Sequence, residues 1–221
     1  MFCECEDILV RFGRAVALNV PHLAIPAGRI TAVVGPNGAG KTTLLEVMAL
    51  LRRPHRGRVK LWGRLARPGE RALRRRAVMV MHPGYLFRGS VWSNVTYGLR
   101  ARGVGRREAA ARAADALREV GLPDLAHRKA AELSSGERQR VNLARAIAIA
   151  PEAILLDEPT ANVDSRTVAD ICALLRRLRD EHGTTIVYAS PAENGIEVIT
   201  DRLIELAGGR VRSETSCRPR S

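Results

Sequence analysis

The chain has 221 residues, 46% of them apolar and 27% charged, with a formal net charge of +13. This balance supports a packed core and excludes a disordered chain, and no run approaches the roughly 20 uninterrupted apolar residues of a membrane-spanning helix. Lysine occurs only at Lys41, Lys60 and Lys129, so arginines scattered through every segment carry the charge. That is the pattern of a solvated basic surface, not of a stripe interleaved with aromatics, and no nucleic acid partner is expected.

Segment 1–7 is acidic and has neither the basic nor the apolar region of a secretory leader. Cys3, Cys5, Cys172 and Cys217 show no C-x-x-C spacing, so reduced thiols are expected rather than disulfides or a metal site. Ile8-Leu9-Val10 reads as a strand, as does the later Val59-Lys60-Leu61-Trp62. The apolar run 30–34 (ITAVV) reads as a buried strand, and 42–51 reads as a helix with an apolar face. Between them stands Gly35-Pro36-Asn37-Gly38-Ala39-Gly40-Lys41-Thr42, the spelling G-x-x-x-x-G-K-T. In the order strand, loop, helix, this is the signature of a phosphate-binding loop.

The chemistry explains the spelling. Glycines let successive backbone N–H groups point inward as an anion cradle, and the following helix adds the positive end of its dipole. Lys41 supplies a point charge to the β/γ-phosphates, and Thr42, followed by Thr43, offers a hydroxyl to Mg²⁺. The expected ligand is a nucleoside triphosphate with magnesium.

Beyond a strand-like run at 78–81, segment 85–133 turns helical in composition. Ala109, Ala113, Ala116, Leu117 and Val120 recur at helical spacing over 106–120, and Gly121 follows as a stop. A second helix is expected over 137–150, with Ser134 as N-cap and Glu137 completing a capping box. Two strand-like runs follow, 153–156 and 184–188, each after a helical stretch, which is the pattern of a parallel sheet. The first leads into Asp157-Glu158-Pro159-Thr160. Open α/β sheets place ligands at the C-terminal edge, where Asp157 would hold Mg²⁺ and Glu158 would polarise the attacking water. Strand alternation is expected to send these adjacent carboxylates opposite ways.

Leu133-Ser134-Ser135-Gly136-Glu137-Arg138-Gln139-Arg140 resembles the signature sequence of the ATP-binding cassette (ABC) ATPases, usually written LSGGQ, and stands between the phosphate loop and the Asp157-Glu158 strand as it does in that family. The resemblance covers nearly the whole chain. It implies one domain over 1–221: a P-loop NTPase α/β core with a mostly parallel sheet, an antiparallel β lobe, and an α-helical lobe at about 85–135 that leads into the signature motif. By the same resemblance, Phe12-Gly13 matches the loop whose aromatic ring stacks on adenine, and Asn162-Val163-Asp164 matches the D-loop. Two cassettes pair head to tail, so Ser134 and Gly136 would contact the γ-phosphate of ATP held by the other subunit.

Two positions depart from the family pattern. His82 stands where a glutamine usually touches Mg²⁺ and the lytic water, and Ser190 stands where a histidine usually contacts the γ-phosphate. Catalytic roles are expected at Glu158, His82 and Ser190, with a rate the two departures could lower. Four of the eight aromatic residues, Tyr85, Phe87, Trp92 and Tyr97, cluster after His82, where importer-type cassettes receive a helix of the membrane subunit. The run 87–99 looks most like importers of oxyanions such as tungstate or phosphate. The resemblance therefore implies an ATPase docked on transmembrane permease subunits at the inner face of the cell membrane, served indirectly by a solute-binding protein. A weakly hydrolysing regulatory module and a DNA-maintenance ATPase are the alternatives.

Overall fold

The computed structural model describes residues 1–67, 70–161, 163–191 and 196–217. Its centre is a six-stranded sheet in the order β10-β9-β3-β8-β7-β6. The strands are β3 (Ile30–Val34), β6 (Ala77–Val80), β7 (Ala153–Asp157), β8 (Thr185–Ser190), β9 (Arg202–Ala207) and β10 (Arg210–Ser216). All pair in parallel except the β9–β10 hairpin. β3, β7 and β8 are buried at every residue, which is why they read as continuous apolar runs rather than alternating ones.

Strand alternation divides these residues between two cores. Ile30, Ala32, Ile154, Leu156, Ile186 and Tyr188 face one, and Val33, Ala153, Leu155, Val187 and Ala189 face the other. The first core is covered by α3 (Val91–Ala101), α4 (Arg106–Glu119), α5 (Ser135–Ile147) and α6 (Ser165–His182). The second holds α1 (Lys41–Met48), whose Leu44, Leu45, Val47 and Met48 are fully buried. Across α1 lies an antiparallel sheet of β1 (Cys3–Phe12), β2 (Ala15–Ile25), β4 (Arg56–Leu61) and β5 (Arg64–Leu65), in the order β2-β1-β4-β5. Each fully buried Leu or Val here contributes about 1.5–3 kcal/mol, so α1 is clamped between the two sheets.

The register brings four chain crossings to one edge. Val34 pairs with Ser190, Asp157 with Ala189, and Val80 with Leu156. The phosphate loop, Glu158, Pro191 and the segment carrying His82 therefore leave the sheet side by side.

The elements differ from the sequence reading in several places. The signature helix spans Ser135–Ile147, not 137–150, because Ser134 is its cap and Ala150 turns left-handed at φ 45° ahead of Pro151. β2, β5, β9, β10 and the short α2 (Arg71–Arg76) were not foreseen. Cys3 and Cys5 are free, fully buried thiols 3.8 Å apart. Their mutual hydrogen bond, then burial, holds the Cys3 thiol well above its usual pKa, which keeps it protonated.

Candidate nucleotide-binding site

The phosphate loop is fixed by backbone contacts as tightly as by its own sequence. Gly209 N–H donates to Ala39 O (3.0 Å), and Asn19 N–H donates to Gly209 O (2.7 Å), which ties the loop to β2 and to the β9–β10 turn. Gly35 has φ 156°, and a Cβ there would lie 2.0 Å from the Leu206 carbonyl oxygen. At Gly40, φ is 99° and a Cβ would lie 2.5 Å from the Ala17 oxygen. Glycine is needed at both positions because neighbouring backbone already occupies the space. Gly209 was not legible as a loop support, since nothing local marks a turn that acts on a distant segment.

Lys41 is 5% exposed, and its ammonium donates to Gly35 O (2.8 Å) and Pro36 O (3.1 Å), curling back over the loop. Burial lowers its pKa, and the charges of Glu158 and Asp157 oppose that shift. Thr43 is buried beside it in α1. Thr42 Oγ1 donates to both carboxylate oxygens of Asp157, at 3.1 and 2.9 Å. Asp157 is 6% exposed, and burial raises its pKa against the opposing effects of Thr42, Lys41 and His82. A buried carboxylate thus lacks full compensation and faces a second hard oxygen donor, a pair that fits magnesium. Among the described residues no group of three His, Cys, Asp or Glu side chains could hold a metal ion. The other ligands would come from phosphate and water, as that cation accepts.

Glu158 corrects one expectation. β7 ends at Asp157, and Glu158 adopts a left-handed backbone at φ 45° with its N–H donating to Ala189 O (2.9 Å). A turn, not strand alternation, separates the two carboxylates. Such a conformation costs of order 1–3 kcal/mol and collects at functional positions.

His82 lies two residues beyond β6, joined to Pro83 by a cis peptide bond. Its Nδ1 is buried without a hydrogen-bond partner, and its nearness to Asp157 favours the ionised form of that carboxyl. Ser190 ends β8 at the same sheet edge. It is fully buried, and its hydroxyl donates to Pro191 O (2.5 Å), so the group expected to face the phosphate is engaged by its own chain.

Phe12 ends β1 opposite Ala15, half exposed, with the Arg52 guanidinium 4.6 Å from its ring centroid. The same hairpin carries Ala17, which touches Gly40. Ser134 caps α5 through the full capping box: Glu137 N–H donates to its hydroxyl (3.2 Å), and Ser134 N–H donates to Glu137 Oε2 (2.8 Å). Gly136 lies against Thr167 of α6, and Asp164 caps that helix through Thr167 N–H (2.9 Å). The N-termini of α5 and α6 thus adjoin. Asn162 lies outside the described residues.

The chain as a whole is similar to known proteins. The chain is 40% identical over 217 residues to the methionine import ATP-binding protein MetN 1 of Rhodococcus jostii, with 94% of this chain and 64% of that protein covered. It therefore spans about two thirds of the length of the MetN relatives it matches. It is 39% identical to a probable anion import ATP-binding protein of Haloferax volcanii (90% and 74% covered) and 35% identical to the tungstate uptake system ATP-binding protein TupC of Peptoclostridium acidaminophilum (90% and 92% covered). Among solved structures it superposes on the dimeric post-hydrolysis cassette MJ0796 bound to ADP and Pi, with a TM-score of 0.87, 29% identity, and 98% and 99% of the two chains covered. CbiO1 of Clostridium perfringens, part of the transporter complex CbiONQ, gives 0.88 at 27% identity (97% and 88% covered). Residues 18–161 match the profile described as ABC transporter, and the chain belongs to that family.

Proposed function

We propose that residues 1–221 form one ATP-binding and ATP-hydrolysing domain that drives import through separate transmembrane subunits. The observation that carries this reading is the convergence at one sheet edge of the Lys41 cradle, the Thr42–Asp157 oxygen pair (2.9 Å) and the strained Glu158.

The chemistry follows from the placements. The loop N–H groups and the N-terminus of α1 bind the β- and γ-phosphates, and Lys41 turns from the Gly35 and Pro36 carbonyls toward them. Thr42 and Asp157 would hold Mg²⁺, which would neutralise developing negative charge on the phosphate oxygens. Glu158 accepts a proton from water as the water oxygen attacks the γ-phosphorus. The bond from phosphorus to the β–γ bridging oxygen breaks, giving ADP and phosphate. His82, with its unpartnered Nδ1, stands where it can hold or orient that water. Phe12 stacks on adenine. The exposed capped N-terminus of α5, with Ser134 and Gly136, closes the nucleotide site of a second copy.

A permease helix fits the face beyond His82. Tyr85 and Tyr97 are 72% and 54% exposed and flank Phe87 at ring-centroid distances of 5.8 and 4.6 Å, beside a cavity of about 340 Å³ lined by Met81, Tyr97 and Ile149. Aromatic anchors around a groove suit an amphipathic helix. Trp92 instead packs against the core of the helical lobe. No helix among the described residues is long and apolar enough to cross a membrane, in keeping with a subunit seated on the inner membrane face. The cargo we favour is an oxyanion such as tungstate, supported by the two anion-import relatives, with a solute-binding protein delivering it.

The test is steady-state phosphate release by the purified chain with Mg–ATP, wild type against Glu158→Gln. Equal rates would remove the hydrolytic reading. The buried, self-engaged hydroxyl of Ser190 favours a second reading, a regulatory module with weak turnover; wild-type release no faster than that of Glu158→Gln, with ATP still bound, would favour it.

A further inference from the structure

A cavity of about 590 Å³ opens between the C-terminal end of α1, the β4–β5 hairpin and α2. It lies at the end of α1 opposite the phosphate loop, and its size is that of a small-molecule site. Its wall carries Arg52, Arg53, Arg56, Arg58, Arg67 and Arg74 against one acidic residue, Glu70. Glu70 already faces Arg64 (3.0 Å), while Glu46 holds Arg52 (2.5 Å) and Glu6 holds Arg58 (3.1 Å). Among the described residues, the side chains of Arg53, Arg56, Arg67 and Arg74 form no ion pair or hydrogen bond.

Gly57, between Arg56 and Arg58, has φ 99°, and a Cβ there would lie 2.5 Å from the Asp7 oxygen, so the strand that carries both arginines runs hard against β1. Leu51 and Leu65, each about half exposed, border the same cavity.

We propose that this cavity binds an organic anion that joins a phosphate or carboxylate group to a short apolar body. Four uncompensated guanidinium groups in one concavity repel one another, and an anion relieves that repulsion. The planar guanidinium fork matches phosphate and carboxylate oxygens in pairs. Leu51 and Leu65 gain by covering an apolar tail, which separates this ligand from an inorganic ion. The site is distinct from the phosphate loop, which binds through backbone N–H groups.

The test is calorimetric titration of the full chain with monomeric octyl phosphate, in saturating Mg–ADP to fill the phosphate loop and at fixed ionic strength. The expected dissociation constant is about 0.1–1 mM, with inorganic phosphate and octanol each at least about tenfold weaker. Arg53→Ala combined with Arg74→Ala is expected to weaken octyl phosphate about tenfold while leaving ADP affinity unchanged. On the wild-type chain, independently of any variant, octyl phosphate is expected to slow phenylglyoxal modification of Arg53 and Arg74, read by peptide mass spectrometry. Displacement of octyl phosphate by phosphatidylglycerol vesicles would assign the anion to a lipid headgroup, and absence of displacement to a soluble compound. Inorganic phosphate binding as tightly as octyl phosphate, a double variant that binds like wild type, or no protection of the two arginines would each overturn the proposal.

Discussion

Gly35→Ala and Gly38→Ala separate two reasons for a glycine in the same loop. Both positions have positive φ, 156° and 79°, so both alanines strain the backbone. At Gly38 nothing lies within 4 Å of the added methyl, and the cost is the strain alone, about 1–2 kcal/mol. At Gly35 the methyl would lie 2.0 Å from the Leu206 oxygen, with Ala39 Cβ at 3.3 Å on another side. Relief to about 3 Å requires the loop and β9 to part by about 1 Å, and a misplacement of that size costs about 10²-fold in a positioned site. Gly35→Ala is therefore expected to weaken Mg–ATP binding by at least 10²-fold, about 2.7 kcal/mol, and to lower the melting temperature as overpacking does. Gly38→Ala is expected to cost about 1–2 kcal/mol of stability, a few degrees in the melt, and to weaken nucleotide binding far less than Gly35→Ala does. Equilibrium binding of a non-hydrolysable ATP analogue and thermal unfolding of both variants decide the matter. Equal losses in the two would refute the argument that β9 sets the position of the loop.

Glu158→Gln is expected to slow phosphate release by about 10²–10⁴-fold with ATP affinity retained. Lys41→Ala is expected to weaken both ATP binding and turnover, by a few kcal/mol in the transition state, and retained affinity would show that the backbone cradle suffices. Ser134→Ala removes the acceptor for Glu137 N–H (3.2 Å) and is expected to destabilise the chain by about 1 kcal/mol in denaturant unfolding. Arg76 holds Glu152 through two bonds, at 2.5 and 2.6 Å, which depresses the carboxyl pKa. A depressed carboxyl adds stability above its unfolded pKa and loses it as pH falls through the folded value. Glu152→Gln is thus expected to cost well under 1 kcal/mol at pH 7, this pair being solvent-screened, and nothing once the wild-type carboxyl is protonated; a difference that persisted in acid would rule out the ion pair as its source.

Sequence alone determined whatever depends on neighbours along the chain. The phosphate loop is legible because its chemistry needs glycines, a lysine and a hydroxyl in one short run between a strand and a helix. The capping box at Ser134 and Glu137 is legible because a cap acts within a single turn. β3, β7 and β8 are legible because burial on both faces leaves an unbroken apolar run. Tertiary structure decided what depends on register and on distant backbone. Parallel pairing aligns Val34 with Ser190 and Asp157 with Ala189, and only that alignment brings Thr42 to Asp157 across more than a hundred residues of chain. The left-handed turn at Glu158, the engagement of Ser190 by Pro191 and the hold of Leu206 and Gly209 on the phosphate loop leave no mark in residue spacing. They arise because a packed interior leaves a side chain only the room that strands remote in sequence allow.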